Sequence, residues 1–240
     1  RRSSDLLKAH GVTDLFGYPG GAIMPTYDAI YDSGLDHLLC RNEQGAAIAA
    51  IGYARSTGKV GVCVATSGPG ATNLITGLGD AFADSVPLVA FTGQVAAPLI
   101  GTDAFQEADL LSMTTPITKH NYQVKKIEDI PRIVHEAFHL ANTGRKGPVV
   151  IDFPKDMGVL KTDVELTKDI NIPGYEVNNN PNKEDINKLI YMIKEAKKPL
   201  ILAGAGINHS KSNHLLTEFV TRHQIPTVTT LLGLGAVPYH

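Results

Sequence analysis

Short apolar runs, too brief to be helices, recur along this chain, and most are followed by a stretch patterned as a helix. The runs are Leu15-Phe16, His37 to Cys40, Val60 to Thr66, Val86 to Thr92 and Val149 to Phe153; the helical patterns fall near Met24 to Tyr31, Glu43 to Ser56, Ala71 to Gly79 and Ile127 to Asn142. Unbroken apolar strands imply burial on both faces, and strand–helix–strand order implies parallel pairing. This portion therefore reads as an α/β fold, a parallel sheet with helices on both sides. Such sheets bind ligands beyond the C-terminal ends of their strands.

After Pro154 the pattern changes. Lys161 to Asn182 is polar and contains Pro173, Pro181 and Asn178-Asn179-Asn180, a linker composition. A second rhythm follows: helix Lys183 to Lys197, strand Pro199 to Ala205, helix Ser210 to His223 and strand Thr227 to Leu231. The expected organisation is a domain over residues 1–160, a linker over 161–182 and a truncated α/β domain over 183–240. Because the chain opens on Arg1 and stops at His240 soon after a Gly-rich turn, it is expected to be part of a longer protein.

Charge and composition exclude several classes. Lys plus Arg number 22 against 24 Asp plus Glu, a formal charge of -2, so no basic surface is available to neutralise a nucleic-acid backbone. With 43% hydrophobic and 19% charged residues the chain should fold rather than remain disordered. Val60 to Gly79 and Ser85 to Thr102 carry no charge over about the 20 residues of a membrane span. Ser67-Gly68-Pro69-Gly70 breaks the first, and Pro87, Gly93, Gln94 and Pro98 break the second, so neither reads as a span. Cys40 and Cys63 have no metal or redox spacing and the N-terminus is not signal-like, which fits a reducing, cytoplasmic setting.

Four motifs carry possible chemistry. His135-Glu136-Ala137-Phe138-His139 matches the zinc-protease pattern, but on a helical projection Ile130, Val134, Ala137 and Ala141 share the apolar face, leaving His135 and His139 as a solvated polar face. Ala203-Gly204-Ala205-Gly206-Ile207 joins a strand to a helix as in dinucleotide sites, yet His209 stands where the third glycine belongs; a nucleotide loop and a tight turn both remain open. Thr66-Ser67-Gly68-Pro69-Gly70-Ala71-Thr72-Asn73 is equally a ligand loop or a structural turn, and lacks the lysine of a P-loop. Glu43, after the N-cap candidate Asn42, is either a first-turn acid favoured by the helix dipole or a partly desolvated carboxylate bonded to a ligand.

Taken together, Gly17-Tyr18-Pro19-Gly20-Gly21-Ala22-Ile23-Met24-Pro25, Asn42-Glu43-Gln44-Gly45-Ala46, Ala65 through Asn73, Gly101-Thr102-Asp103-Ala104-Phe105-Gln106-Glu107 and Gly144-Arg145-Lys146-Gly147-Pro148 through Pro154-Lys155-Asp156 resemble the catalytic subunit of the acetolactate synthases, also called acetohydroxyacid synthases. The resemblance runs over essentially the whole chain. It implies thiamine diphosphate as cofactor, a pyrimidine-binding domain at the N-terminus, and the start of a central FAD-binding domain.

By that resemblance, Glu43 bonds the aminopyrimidine nitrogen and promotes the tautomer that deprotonates the thiazolium carbon, so acid–base chemistry passes through the cofactor. Pyruvate is then decarboxylated and joined to a second 2-ketoacid, pyruvate or 2-ketobutyrate, in the first common step of branched-chain amino acid synthesis, toward isoleucine and valine. The resemblance also implies that Thr66, Pro69, Gly70 and Asn73 shape the pyrimidine pocket and that Gln106 approaches the reacting centre. Pro19, Gly20 and Gly21 let the backbone come close, and Phe105 and Lys155 line the substrate channel, the lysine attracting a carboxylate. Arg145, Gly204, Ala205, Gly206, Asn208, Thr230 and Leu231 match flavin-binding positions, with Lys146 replacing a more usual proline.

No metal ligand is assigned in this chain. The Gly-Asp-Gly to Asn segment that holds Mg2+ and the diphosphate in the family is absent, so the isolated chain is expected to be inactive. A homodimer or tetramer is implied, with a regulatory subunit as a possible addition. The alternatives are a non-catalytic FAD- or nucleotide-binding module, a flavin-free catabolic acetolactate synthase, or a related thiamine-dependent decarboxylase.

Overall fold

The computed structural model describes residues 3–160, 164 and 170–238. They form two compact units divided between Val177 and Asn178. In chain order the first unit holds α1 (Ser3–Ala9), β1 (Asp14–Gly17), α2 (Met24–Tyr31), β2 (Asp36–Leu39), α3 (Glu43–Thr57) and β3 (Gly61–Ala65). Then come α4 (Pro69–Thr72), α5 (Ile75–Ala83), β4 (Leu88–Gln94), α6 (Leu110–Thr114), β5 (His120–Gln123), α7 (Ile130–Asn142) and β6 (Pro148–Pro154). The sheet order is β2-β1-β3-β4-β6-β5, every pair parallel.

Period-two alternation sends successive side chains of each strand to opposite faces, and both faces are covered. Val62, Val64, Val89, Phe91, Val149 and Ile151 pack with α1 and α7 on one side. Cys63, Ala65, Leu88, Ala90 and Val150 pack with α3 and α5 on the other. The strands β3, β4 and β6 are buried throughout, whereas the edge strand β2 is largely exposed and β5 half-buried. Alanine-rich α3 comes close: a Cβ on Gly61 would fall 2.3 Å from the Ala50 carbonyl oxygen, and one on Gly77 of α5 would fall 2.4 Å from Ala47 Cβ.

Several elements differ from the sequence reading. The segment His120–Gln123 is a strand although its residues are polar, because as an edge strand it has little side-chain burial to satisfy. The expected helix over Ala71 to Gly79 is two, α4 and α5, offset at Asn73-Leu74. Inside the expected linker, Ile172 and Tyr175 pack against the core, and Tyr175 Oη donates to the Thr143 carbonyl at 3.0 Å. Residues 161–163 and 165–169 of that linker lie outside the described residues.

The second unit contains α8 (Lys183–Glu195), β7 (Ile201–Ala203), α9 (Ala205–His209), α10 (Asn213–His223) and β8 (Thr227–Thr229), with β7 and β8 paired in parallel. Its helix α8 has no buried residue despite an amphipathic pattern, and Leu189, Ile190 and Met192 are all exposed. Among the described residues no helix is long and apolar enough to cross a membrane.

Candidate active site

Because the strands are parallel, the loops after β1, β2, β3, β4 and β6 open at one end of the sheet. The chain runs outward from β1 to β2 in one direction and to β3 in the other, so the switch point, where such sheets place their ligand crevice, lies between the loops following β1 and β3. Gly20 follows β1 and Thr66 follows β3. A Cβ on Gly20 would lie 2.5 Å from Thr66 Cβ, and the Ala22 N–H donates to Thr66 Oγ1 at 3.3 Å.

Glu43 is the first residue of α3. Asn42 caps the helix by accepting from the Gln44 N–H at 2.8 Å, and burial of Ala46, Ala47 and Ala50 draws the Glu43 side chain inward until only 8% is exposed. Asn73 Nδ2 donates to Glu43 Oε2 at 2.9 Å. A Cβ on Gly70 would stand 3.1 Å from Glu43 Oε1 and 2.7 Å from Thr66 Cγ2. Glu43, Thr66, Gly70 and Asn73 thus form one contact group, with Gly20 joined through Thr66.

Gln106 reaches the same turn through its backbone. Gly68 has φ 55°, and a Cβ there would lie 2.5 Å from the Gln106 carbonyl oxygen. Gln106 itself has φ 59°. Pro19, Gly21, Pro69, Phe105 and Lys155 are exposed at this end of the sheet, Phe105 almost fully at 88%. The Lys155 N–H donates to the Gln94 carbonyl at 3.0 Å.

Behind these loops is a buried polar cluster that the sequence reading did not single out. Asp152, 0% exposed, accepts from Thr92 Oγ1 at 3.0 Å, Gln94 Nε2 at 3.2 Å and Gln123 Nε2 at 3.2 Å. Burial raises its carboxyl to about 6. The available signal was a carboxylate and an amide set inside otherwise apolar strands.

Arg145 lies elsewhere. It precedes β6, at the opposite end of the sheet from Glu43, and caps the C-terminus of α5. Its Nε donates to Ser85 Oγ at 2.9 Å, and Nη2 donates to the Phe82 and Ala83 carbonyls at 3.1 and 3.3 Å.

The zinc-like histidines are half-buried rather than solvated. His135 Nδ1 lies 3.1 Å from His10 Nε2, His139 packs edge-on to Tyr175, and Glu136 is buried, bonded to Arg132 and to Tyr122 Oη. The apolar face of α7 is wide enough to bring its flanks into contact with α1 and the 170–177 segment. Among the described residues no three His, Cys, Asp or Glu side chains gather as a metal site.

In the second unit, Gly204 and Gly206 leave open space, with only Thr230 Oγ1 at 3.9 Å from a Cβ on Gly204. Asn208 Nδ2 donates to the Leu232 and Leu234 carbonyls, each at 3.1 Å, and Thr230 Oγ1 accepts from the Gly233 N–H at 3.1 Å. These bonds tie the turn after β7 to the turn after β8. Ala205 begins α9, and Leu231 is exposed.

A parallel sheet whose switch-point crevice is lined by glycines and bordered by a buried carboxylate defines an α/β domain that binds a cofactor at its strand ends. The family model described as "Thiamine pyrophosphate enzyme, N-terminal TPP binding domain" matches residues 3–113, and the model for the central domain of the same enzymes matches residues 186–240; the chain belongs to this family. It is 54% identical over 233 residues to the acetolactate synthase large subunit of Lactococcus lactis, covering 97% of this chain and 40% of that one. It is 51% identical over 243 residues to the acetolactate synthase isozyme 2 large subunit of Escherichia coli, covering 98% and 43%. With the probable acetolactate synthase large subunit of Methanocaldococcus jannaschii it shares 50% over 235 residues, covering 97% and 40%. The chain therefore spans about two fifths of the length of these curated relatives.

The crevice fits the pyrimidine end of thiamine diphosphate. Side chains at Gly20 and Gly70 would collide with Thr66 and crowd Glu43, and Asn73 Nδ2 orients the Glu43 carboxylate at its border.

Proposed function

We propose that this chain is the N-terminal part of an acetolactate synthase that joins the two-carbon remainder of pyruvate to pyruvate or 2-ketobutyrate, at the entry to isoleucine and valine synthesis. The observation that carries the reading is Glu43, a buried carboxylate oriented by Asn73 at the sheet's switch point, where Gly70 packs beside it. Acetolactate synthase relatives at about half identity support it.

When bound, thiamine diphosphate supplies an acidic thiazolium carbon whose deprotonated form decarboxylates 2-ketoacids and bonds the remainder to a second one. The residues of this chain orient it and move one proton. Asn73 fixes Oε2 of Glu43, which would leave Oε1, the oxygen nearest Gly70, to hold and release a proton for the aminopyrimidine of the bound cofactor. Gly20 and Gly70 let Thr66 sit close beside Glu43, where these residues would hold the pyrimidine ring, and Gln106, seated on Gly68, would face the reacting centre. Lys155, exposed at the same sheet end, attracts the ketoacid carboxylate, with Phe105 beside the entry.

Magnesium ligands and the diphosphate site are assigned to further residues that continue this chain, and the active assembly to a cytoplasmic homodimer or tetramer, with or without a regulatory subunit. The open glycines at 204 and 206 and the ordered Asn208 and Thr230 turns suit close backbone approach to FAD. Arg145, which caps α5, is read as a flavin contact of the full-length enzyme.

Glu43→Gln in the full-length enzyme tests the reading. The amide cannot cycle the proton, and loss of a positioned acid–base group costs about 10²- to 10⁴-fold in rate. Acetolactate formation is expected to fall within that range while thiamine diphosphate still binds in calorimetry. The 240-residue chain alone is expected to give no turnover in the same assay. A Glu43→Gln enzyme at parental rate would reduce Glu43 to a helix-start residue.

A further inference from the structure

The segment that leaves β4 and returns at α6 carries Phe105 and Gln106, and its backbone is not one that its residues choose. Asp103 and Gln106, both non-glycine, have φ of 57° and 59°, in the sparsely populated left-handed region. Contacts must hold it. Some are internal: the Glu107 carboxylate accepts from the N–H of Gly101 and from that of Ala104, the latter at 3.0 Å. The Asp156 carboxylate accepts from the Ala97 N–H at 3.0 Å near the other end.

The remaining holder comes from the sheet. Gln94, the last residue of β4, is 3% exposed, and both sides of its amide are used. Nε2 donates to the Ala108 carbonyl at 3.1 Å and to Asp152 Oδ2 at 3.2 Å, while Oε1 accepts from the Val95 N–H at 2.8 Å. The opposite amide orientation would set Oε1 against a carbonyl and a carboxylate, so Asp152 decides which way Gln94 points. Asp152 is itself fixed by Thr92 and Gln123.

We propose that Gln94 and Asp152 are positioning residues: the buried carboxylate orients the Gln94 amide, which clamps Ala108 and so keeps Gln106 seated on Gly68. The placement of this loop is independent of what the enzyme makes, but its catalytic consequence rests on the function proposed above. Neither residue touches the crevice, and both act through the loop.

Hydrogen–deuterium exchange on the full 240-residue chain tests the clamp. In Gln94→Met, which keeps length and loses every hydrogen bond of the amide, the amides of Gly101, Thr102, Ala104 and Glu107 are expected to exchange at least tenfold faster, with β3 and α3 unchanged. Gln123→Leu removes a donor to the same carboxylate without touching the loop, and is expected to change those amides less than twofold. Unchanged loop exchange in Gln94→Met, equal loosening by Gln123→Leu, or uniform loosening of the whole unit would each overturn the proposal. If Gln94→Met is unfolded at the assay temperature, the near-isosteric Asp152→Asn is judged by the same criteria.

In the full-length enzyme, Gln94→Met is expected to lower kcat at least tenfold with thiamine diphosphate affinity within twofold. An unlocked loop in a parent that does not convert 2-ketoacids would sink the proposed function and leave the clamp standing; a protected loop in an active enzyme would do the reverse.

Discussion

At Gly70 a single hydrogen atom lets the loop after β3 pack against Thr66 and Glu43. A methyl there would meet Thr66 Cγ2 at 2.7 Å, and Thr66 cannot turn away freely because it is β-branched and its Oγ1 accepts from Ala22. Gly70→Ala is expected to cost about 1–3 kcal/mol by overpacking, read from urea denaturation. Adding Thr66→Ser, which deletes Cγ2, should recover most of that loss; no recovery would place the strain elsewhere. Two titrating groups, half-buried His10 and buried Asp152, set opposite pH slopes. His10, pressed on Phe138 and His135, is lowered to about 4 from 6.5 by burial and then by His135, so the stability of its neutral form is present above 6.5 and declines as pH falls toward 4. Asp152 is raised from 3.8 to about 6, so its contribution is greatest below 3.8 and declines as pH rises through 6. The two slopes oppose one another between about pH 4 and 6. Asp152→Asn should therefore make stability rise more steeply with pH across that window and His10→Phe should make it fall, measured by denaturation at each pH. Identical profiles in parent and variants would refute both assignments.

Among the elements, α5 shows how one arginine serves a helix. At its C-terminus the Phe82 carbonyl accepts a long bond from the Ser85 N–H, 3.4 Å, and the Arg145 guanidinium adds a donor to the Phe82 and Ala83 carbonyls while complementing the helix dipole. Arg145→Ala is expected to lower the stability of the first unit by about 0.3–1 kcal/mol. The proposed FAD contact adds a second readout: flavin affinity should fall about one to two decades in the full-length enzyme, the size of a lost charge-assisted bond. A loss of stability with unchanged flavin titration would leave Arg145 as a helix cap only. The strands β3, β4 and β6 were legible because burial on both faces demands unbroken apolar runs. The edge strand His120–Gln123 was not, since its pairing is made by backbone groups that any residue supplies. In α7 the apolar periodicity was read correctly, but the flanks belong to neighbours, and no periodicity reveals that His10 will arrive beside His135.

At the scale of the molecule the two units are unequal. Nearly all the buried apolar side chains belong to residues 3–177; Ala203, Ile225 and Ala236 are the buried ones described in the second unit. Burial of apolar area is the main source of stability, and small cores are marginal. A polypeptide of residues 1–177 is expected to melt cooperatively, whereas residues 178–240 alone should show no cooperative transition in calorimetry. A sharp, independent transition in the shorter piece would mean that its exposed helix α8 finds stabilisation not visible in its burial.

Sequence by itself determined the parallel α/β architecture, because strand and helix periodicity is written along the chain; it left Glu43 open between a helix-start acid and a ligand-bonded carboxylate, and only the resemblance to the acetolactate synthases favoured the second. Only the tertiary structure decided which of those residues meet. Asn73 bonds Glu43 and Gly68 supports Gln106 because the crossover of β1 and β3 folds separate loops into one crevice. Arg145 falls at the other end of the sheet for the same reason, since it enters β6 where Gln94 and Lys155 stand at strand exits. The Gln94–Asp152 clamp joins side chains of neighbouring strands, and strand order, which sets that adjacency, is a property of long-range packing rather than of any local run of residues.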